Sequence, residues 1–93
     1  MTDEQLKSSR IVSGLVSEGE GLFHAGRLQE AEKVFLKALE MDPLNVDVLN
    51  DLGVISWQYG HKEKATAYFR KVLSIEPDNC DAIANLEAFE GKT

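Results

Sequence analysis

Apolar residues recur at intervals of three and four along most of the 93-residue chain. Leu49 and Leu52 follow this spacing, and so, further on, do Ala65, Phe69 and Val72. Such spacing places the side chains on one face of an α-helix. No segment shows the strict alternation of apolar and polar residues that a half-buried strand requires. The pattern therefore predicts an all-α protein.

Glycine, proline and asparagine divide this pattern into separate helices. Gly60 follows one apolar stripe and can adopt the left-handed conformation in which many helices end. The next helix must stop before Pro77, because proline disfavours the helical conformation in the residue that precedes it. Asn79 then stands where its side chain can cap the following helix. Gly26, Pro43 and Asn45 stand in the same order earlier in the chain.

The chain repeats itself with a period of 34 residues, the spacing between Pro43 and Pro77. With this offset, residues 12–45 and 46–79 share ten identities, whereas chance would give about two. We expect a single domain over residues 1–93 with repeats at about 12–45 and 46–79. Residues 2–10 are expected to extend the first helix, which would begin near Thr2 or Asp3. Residues 80–90 are either a capping helix or the start of a third repeat.

The repeated residues resemble the tetratricopeptide repeat, in which apolar, small, aromatic and proline positions recur over 34 residues. The family pattern is matched in the first repeat by Leu15, Gly19, Ala31, Phe35, Ala38 and Pro43, and in the second by Leu49, Leu52, Gly53, Ala65, Phe69 and Pro77; the turn glycines Gly26 and Gly60 complete the set of structural repeat residues. Glu18 and Ser56 depart from it, since Leu and an aromatic residue are usual there. The resemblance implies a right-handed superhelical array of antiparallel helix pairs, with about five helices, and a protein-binding function.

Small residues have a physical role in this pattern. Gly53 and Ala65 are expected on the facing sides of the two helices of the second repeat, and Gly19 and Ala31 on those of the first. Their small side chains would let the paired helices approach closely.

Charge and composition exclude several classes of function. A net charge of -6 argues against nucleic acid as a partner, because phosphate contacts need clustered Lys and Arg. No apolar run approaches the ~20 residues that span a membrane, and residues 1–10 do not resemble a secretory signal. Cys80, the single cysteine, provides no disulfide framework and fits a reducing compartment. A cytoplasmic location is therefore expected.

The charges are distributed unevenly among the predicted helices. None of the ten Lys and Arg residues lies in residues 11–24, 46–59 or 80–90, the first-type helices, whereas seven acidic residues do. The family resemblance implies that first-type helices line a concave groove, which would then be acidic. The candidate partner-binding residues are Glu20, Phe23, His24, Asp47, Asn50, Asp51, Val54, Trp57, Gln58, Asp81 and Asn85. Phe23 and Trp57 either anchor a bound peptide or pack against the next helix.

Apparent catalytic and ligand-binding motifs have simpler explanations. Residues 91–93 resemble the end of a phosphate-binding loop, but the earlier glycine of that motif is replaced by Leu86. His24 and His61 have no second ligand at metal spacing. No cofactor, metal site or catalytic set is predicted, and we do not expect an enzyme.

The sequence leaves three functional hypotheses open. The first is a protein-interaction module whose groove binds a peptide or protein with basic and apolar residues. The second is a homotypic assembly element, because an uncovered apolar edge could stack on a second copy. The third is a repeat appendage of a larger enzyme such as a transferase.

Overall fold

The computed structural model of the chain describes residues 2–90, which form five α-helices and no strand. In chain order these are α1 (Asp3–His24), α2 (Leu28–Met41), α3 (Val46–Gln58), α4 (Lys62–Ile75) and α5 (Cys80–Glu90). The prediction of an all-α helical repeat is confirmed.

The helix boundaries repeat with the period found in the sequence. Helices α2 and α4 begin at residues 28 and 62 and end at residues 41 and 75, and α3 and α5 begin at residues 46 and 80. Each pair of positions is 34 residues apart. Helix α1 is longer than α3, because it starts at Asp3 and so includes the predicted extension.

Side-chain caps fix the starts of three helices. The hydroxyl of Thr2 accepts a hydrogen bond from the Gln5 amide at 3.2 Å, and Oε1 of Gln5 accepts one from the Thr2 amide at 2.8 Å. This reciprocal arrangement is a capping box. The Asn45 side chain accepts a hydrogen bond from Val48 N at 3.0 Å, and that of Asn79 accepts one from Ala82 N at 2.9 Å. The capping roles predicted for both asparagines are confirmed.

Two glycines end the first helix of each pair with the same geometry. Gly26 and Gly60 have φ angles of +80° and +84°, in the left-handed region. Around Gly60, the amide of the glycine donates to the Trp57 carbonyl at 2.9 Å and the His61 amide donates to that of Ser56 at 2.9 Å. The corresponding bonds around Gly26 are also present. This is the Schellman pattern, which satisfies carbonyl groups at the helix end and turns the chain.

The chain divides into two compact units between Pro43 and Leu44. In the first unit, α1 packs against α2, and Val12, Ala31, Phe35 and Ala38 are buried. A Cβ atom added to Gly19 would lie 2.6 Å from Cε1 of Phe35. The glycine is therefore needed because the aromatic ring occupies the space of its side chain.

In the second unit, α3 pairs with α4, and α5 packs against both. The core comprises the buried apolar residues Val48, Leu49, Leu52, Ile55, Ala65, Phe69, Val72 and Ala82. A Cβ atom at Gly53 would lie 2.5 Å from Cε1 of Phe69, so this unit repeats the glycine–phenylalanine contact of the first. The two contacts give the small residues of the repeat a specific physical role.

Candidate functional site

The candidate residues of α3 share a stripe but differ in exposure. Asp47 and Gln58 are exposed, whereas Asp51, Val54 and Trp57 are half-buried. These residues follow one another at helical spacing, so that they lie along one side of α3. The accessible part of the stripe therefore combines carboxylates with apolar surface.

Asn50 belongs to the same stripe by spacing, but only 7% of it is exposed. Its Nδ2 donates to Oδ1 of Asn79 at 3.2 Å, and the same oxygen accepts the hydrogen bond from Ala82 N. Asn79 in turn donates through Nδ2 to Oε1 of Glu76 at 2.9 Å. Asn50 thus connects α3 to the start of α5, a structural contact that helical spacing alone does not indicate.

Trp57 belongs to an aromatic cluster in the second unit whose central ring is Phe89. Its ring stacks on Phe89 of α5, with centroids 4.0 Å apart and planes inclined by 6°. Phe89 also contacts Phe69, at a centroid distance of 5.7 Å. Trp57 consequently packs against the next helix while part of its surface stays accessible.

Two residues of this cluster were not singled out in the sequence. Phe89 follows Ala82 and Leu86 at intervals of four and three, and this spacing could have placed it on the packed side of α5. Lys62, the first residue of α4, lies with Nζ 5.6 Å from the centroid of the Trp57 ring. The charge of each helix alone does not place Lys62 beside Trp57, because the contact arises only where the turn at Gly60 brings the start of α4 back to the end of α3.

Among the three helices of the second unit, Lys and Arg occur only in α4. Helices α3 and α5 contain acidic residues but no Lys or Arg, whereas α4 contains Lys62, Lys64, Arg70 and Lys71. On α5, Asp81 is exposed and Asn85 half-buried. Nη2 of Arg70 lies 2.7 Å from Oε2 of Glu90, so one base of α4 is paired with an acid of α5.

In the first unit, the candidate residues lie at the end of α1. Glu20 and His24 are exposed and Phe23 is half-buried. The rings of Phe23 and His24 meet edge to face, with centroids 5.7 Å apart. These residues occupy the positions in α1 that Val54, Trp57 and Gln58 occupy in α3.

Residues 2–90 contain no group of three His, Cys, Asp or Glu residues that could hold a metal ion. Cys80 is a free, exposed thiol at the start of α5. None of the helices between residues 2 and 90 is long and apolar enough to cross a membrane. Residues 91–93, which resemble the end of a phosphate-binding loop, lie outside the described part of the chain.

Two helix pairs with a 34-residue period, matching glycine turns and matching asparagine caps define a helical-repeat protein. Comparison with known families matches residues 22–88 to the tetratricopeptide repeat. The chain belongs to the tetratricopeptide repeat family. Proteins of this family generally provide protein–protein interaction modules, and their repeats are generally non-catalytic.

Several larger proteins contain a similar segment. The chain is 32% identical over 62 residues to cellulose synthase operon protein C of Komagataeibacter xylinus, matching 67% of the chain and 5% of that protein. It is 34% identical over 58 residues to BBSome complex member BBS4 of Bos taurus, matching 62% of the chain and 11% of that protein. Protein arginine N-methyltransferase 9 of Xenopus laevis is 29% identical over 66 residues, which are 71% of the chain and 8% of that protein. The chain thus spans only a small part of these relatives.

Proposed function

We propose that the second unit binds a polypeptide segment in which Lys or Arg stands beside an apolar side chain. The proposed binding surface consists of Asp47, Asp51, Val54, Trp57 and Gln58 on α3 with Asp81 and Asn85 on α5, and is called the α3/α5 surface below. Its function is recognition, and the module itself performs no chemistry. Glu20, Phe23 and His24 are proposed to serve the same purpose in the first unit.

The observation that carries this proposal is the charge of the two helices. Asp47, Asp51 and Asp81 lie on helices that contain no Lys or Arg. A basic segment would therefore be attracted to these three carboxylates and an acidic segment repelled by them, whereas Lys62 is the base that lies beside Trp57. The chain belongs to a family that generally binds proteins, so a protein segment is the expected ligand of this acidic surface.

The aromatic cluster supports the apolar part of the proposed ligand. Trp57 is held by Phe89 on α5, so its accessible surface is presented in a fixed orientation. A held aromatic ring loses little side-chain freedom on binding and is a common source of binding energy. Charges at an exposed surface mainly affect association rate and specificity. The proposed division is that Trp57 supplies affinity while the aspartates select a basic partner.

A random peptide library displayed on phage tests this proposal without a known partner. Panning on the intact protein should enrich peptides with Lys or Arg next to an aromatic or aliphatic residue. Enriched peptides should bind Asp47→Asn with Asp81→Asn several-fold more weakly, because both changes remove charge with little change of shape. Their binding to wild type should also weaken as salt shortens the Debye length from ~10 Å at 0.1 M to ~3 Å at 1 M.

A matched control removes two charges elsewhere. Glu4→Gln with Glu40→Gln changes the net charge equally on the exposed surfaces of α1 and α2. This variant should bind the selected peptides like wild type. Enrichment of acidic peptides, or equal weakening in both double variants, would contradict the proposed surface.

A further inference from the structure

One side of α1 carries a stripe that the rest of the chain leaves largely uncovered. Lys7, Ile11, Leu15, Glu18 and Leu22 follow one another at intervals of four, four, three and four, so they lie on one face of the helix. Lys7, Ile11 and Glu18 are exposed, and Leu15 and Leu22 are half-buried. Ile11 has a relative exposure of 51%, the largest of any apolar residue within α1. We call these five residues the α1 stripe.

The stripe is distinct from the side of α1 that packs within the first unit. Val12 and Gly19 are the buried residues of α1, and Gly19 faces the ring of Phe35 on α2. The stripe runs beside this contact and leaves Ile11 exposed to solvent. A helix face with two charged and three apolar residues is suited to contact with a second helix.

The charges of the stripe complement each other when the stripe is paired with itself in the antiparallel direction. Lys7 and Glu18 lie equally far from a point between residues 12 and 13. In an antiparallel pair centred there, Lys7 of each copy faces Glu18 of the other, giving two equivalent ion pairs. A parallel pair in register would instead place Lys7 against Lys7 and Glu18 against Glu18. We propose that the α1 stripe binds the same stripe of a second copy of this chain, with the helices antiparallel.

Gly14 provides room for the apolar side chains in this arrangement. In the same antiparallel register, Ile11 of one copy lies opposite Gly14 of the other. A Cβ atom added to Gly14 would meet no atom within 4 Å, so its missing side chain serves no packing purpose within the chain. A β-branched side chain facing a glycine allows two helices to come close together.

Both charges are available for this contact. Arg27 pairs with Glu30 and Arg70 with Glu90, and neither pair includes Lys7 or Glu18. Lys7 and Glu18 are eleven residues apart on the same helix, or ~16 Å at 1.5 Å per residue. They cannot pair within one copy. Any energetic coupling between them must therefore arise between copies.

The expected dimer is symmetric and weak. A two-fold axis makes the same surface patch serve both copies. A contact through one helix from each copy covers less than the ~800 Å² per partner of a standard stable interface. Association should therefore depend on concentration. The inference uses the first unit only, so it stands or fails independently of the α3/α5 surface.

Sedimentation equilibrium over a wide concentration range provides the test. Wild type should show a reversible monomer–dimer equilibrium. Lys7→Glu and Glu18→Lys should each weaken the dimer about tenfold, because each change replaces two attractions by two repulsions. The double variant Lys7→Glu with Glu18→Lys should restore the dimer, since it exchanges the charges without changing their pairing. Circular dichroism should show that all variants remain folded.

Two further variants separate this contact from a general charge effect. Glu40→Lys has the same charge change as Glu18→Lys but lies on α2 and not on the α1 stripe, so it should leave the dimer unchanged. Gly14→Leu fills the space facing Ile11 and should weaken the dimer while the monomer stays folded. A wild type that is monomeric at every concentration, or a double variant as weak as the single ones, would overturn the proposal.

Discussion

The first helices of the two units share a repeat position but not the same burial. Helix α1 has two buried residues among its 22, whereas α3 has seven among 13. Both contain the glycine that faces a phenylalanine of the following helix, Gly19 with Phe35 and Gly53 with Phe69. Within its unit, α1 packs only against α2, but α3 contacts both α4 and α5.

This difference shows which properties the repeat determines locally. The glycine–phenylalanine contact depends only on two helices of the same pair, so it occurs in both units. Burial of the rest of the first helix depends on the helices around it. A repeat pattern therefore predicts the helix pair better than it predicts which residues remain accessible on its surface.

Disrupting the shared contact should have the largest effect. Gly53→Leu should unfold the protein, and Gly53→Ala should lower the free energy of unfolding by ~1–3 kcal/mol, because the added atoms collide with the ring of Phe69. Urea denaturation followed by circular dichroism measures both. Gly21→Ala is the control, since a Cβ atom there meets nothing within 4 Å. It should stabilise α1 by ~0.5–1 kcal/mol. A Gly53→Ala variant as stable as wild type would contradict the close contact.

Ala65→Leu tests the facing side of the same helix pair. Ala65 is completely buried, so the larger side chain should also destabilise the second unit by ~1–3 kcal/mol. Thermal melts recorded by circular dichroism would detect this change. The same substitution at Ala67, which is exposed on α4, should change the melting temperature little.

The aromatic ring of α5 belongs to the second unit, and its removal should destabilise that unit. Phe89→Ala removes the stack on Trp57 and the contact with Phe69, and should cost ~2 kcal/mol, less than the ~3–5 kcal/mol of a fully buried phenylalanine. Trp57 is the only tryptophan, so its fluorescence reports on α5 directly. We expect its emission to shift to longer wavelength. Unchanged emission would mean that the stack does not persist in solution.

Losing either asparagine cap should lower the free energy of unfolding less than the changes above, and the two losses should be unequal. Asn45→Ala should cost ~1 kcal/mol, the usual effect of losing an N-cap side chain. Asn79→Ala should cost more, because Nδ2 of Asn50 also loses its acceptor and lies in a buried position. Chemical denaturation of both variants in parallel measures the difference. Equal losses would indicate that the Asn50–Asn79 bond contributes little.

Removing the surface ion pairs should have the smallest effect on the free energy of unfolding. Glu30→Gln and Glu90→Gln remove Arg27–Glu30 and Arg70–Glu90, whose side chains are between 43% and 66% exposed. Such pairs typically contribute ~0–1 kcal/mol, and salt screens them. In low salt both variants should melt at lower temperatures than wild type, and in high salt these differences should be small. A large loss that persists in high salt at Glu90 would indicate that this residue also packs α5.

Much of the fold could be predicted from the sequence because its determinants are local. Gly26 and Gly60 end helices through their own backbone conformation, and Asn45 and Asn79 cap helices three residues away. The start of α1 at Asp3 followed from the same logic. These features depend on a few neighbouring residues, which the sequence displays directly.

The surface was harder to predict because it depends on packing between helices. Spacing along α3 placed Asn50 beside Asp47 and Asp51, but α5 buries Asn50 through Asn79. The Trp57–Phe89 stack joins residues 32 positions apart, and Lys62 reaches Trp57 only after the chain turns. The partner-binding residues on these helices remain a prediction.

The position of Asn79 has a consequence for how such a chain can grow. This residue ends one 34-residue segment and starts the next helix, as Asn45 does one segment earlier. A tandem duplication of residues 46–79 would therefore insert a complete repeat, with its own glycine turn and with an asparagine that caps the helix after it. Lengthening by whole repeats requires no new turn or cap, whereas an insertion of any other length would break the 34-residue register in which the glycine turns and asparagine caps recur.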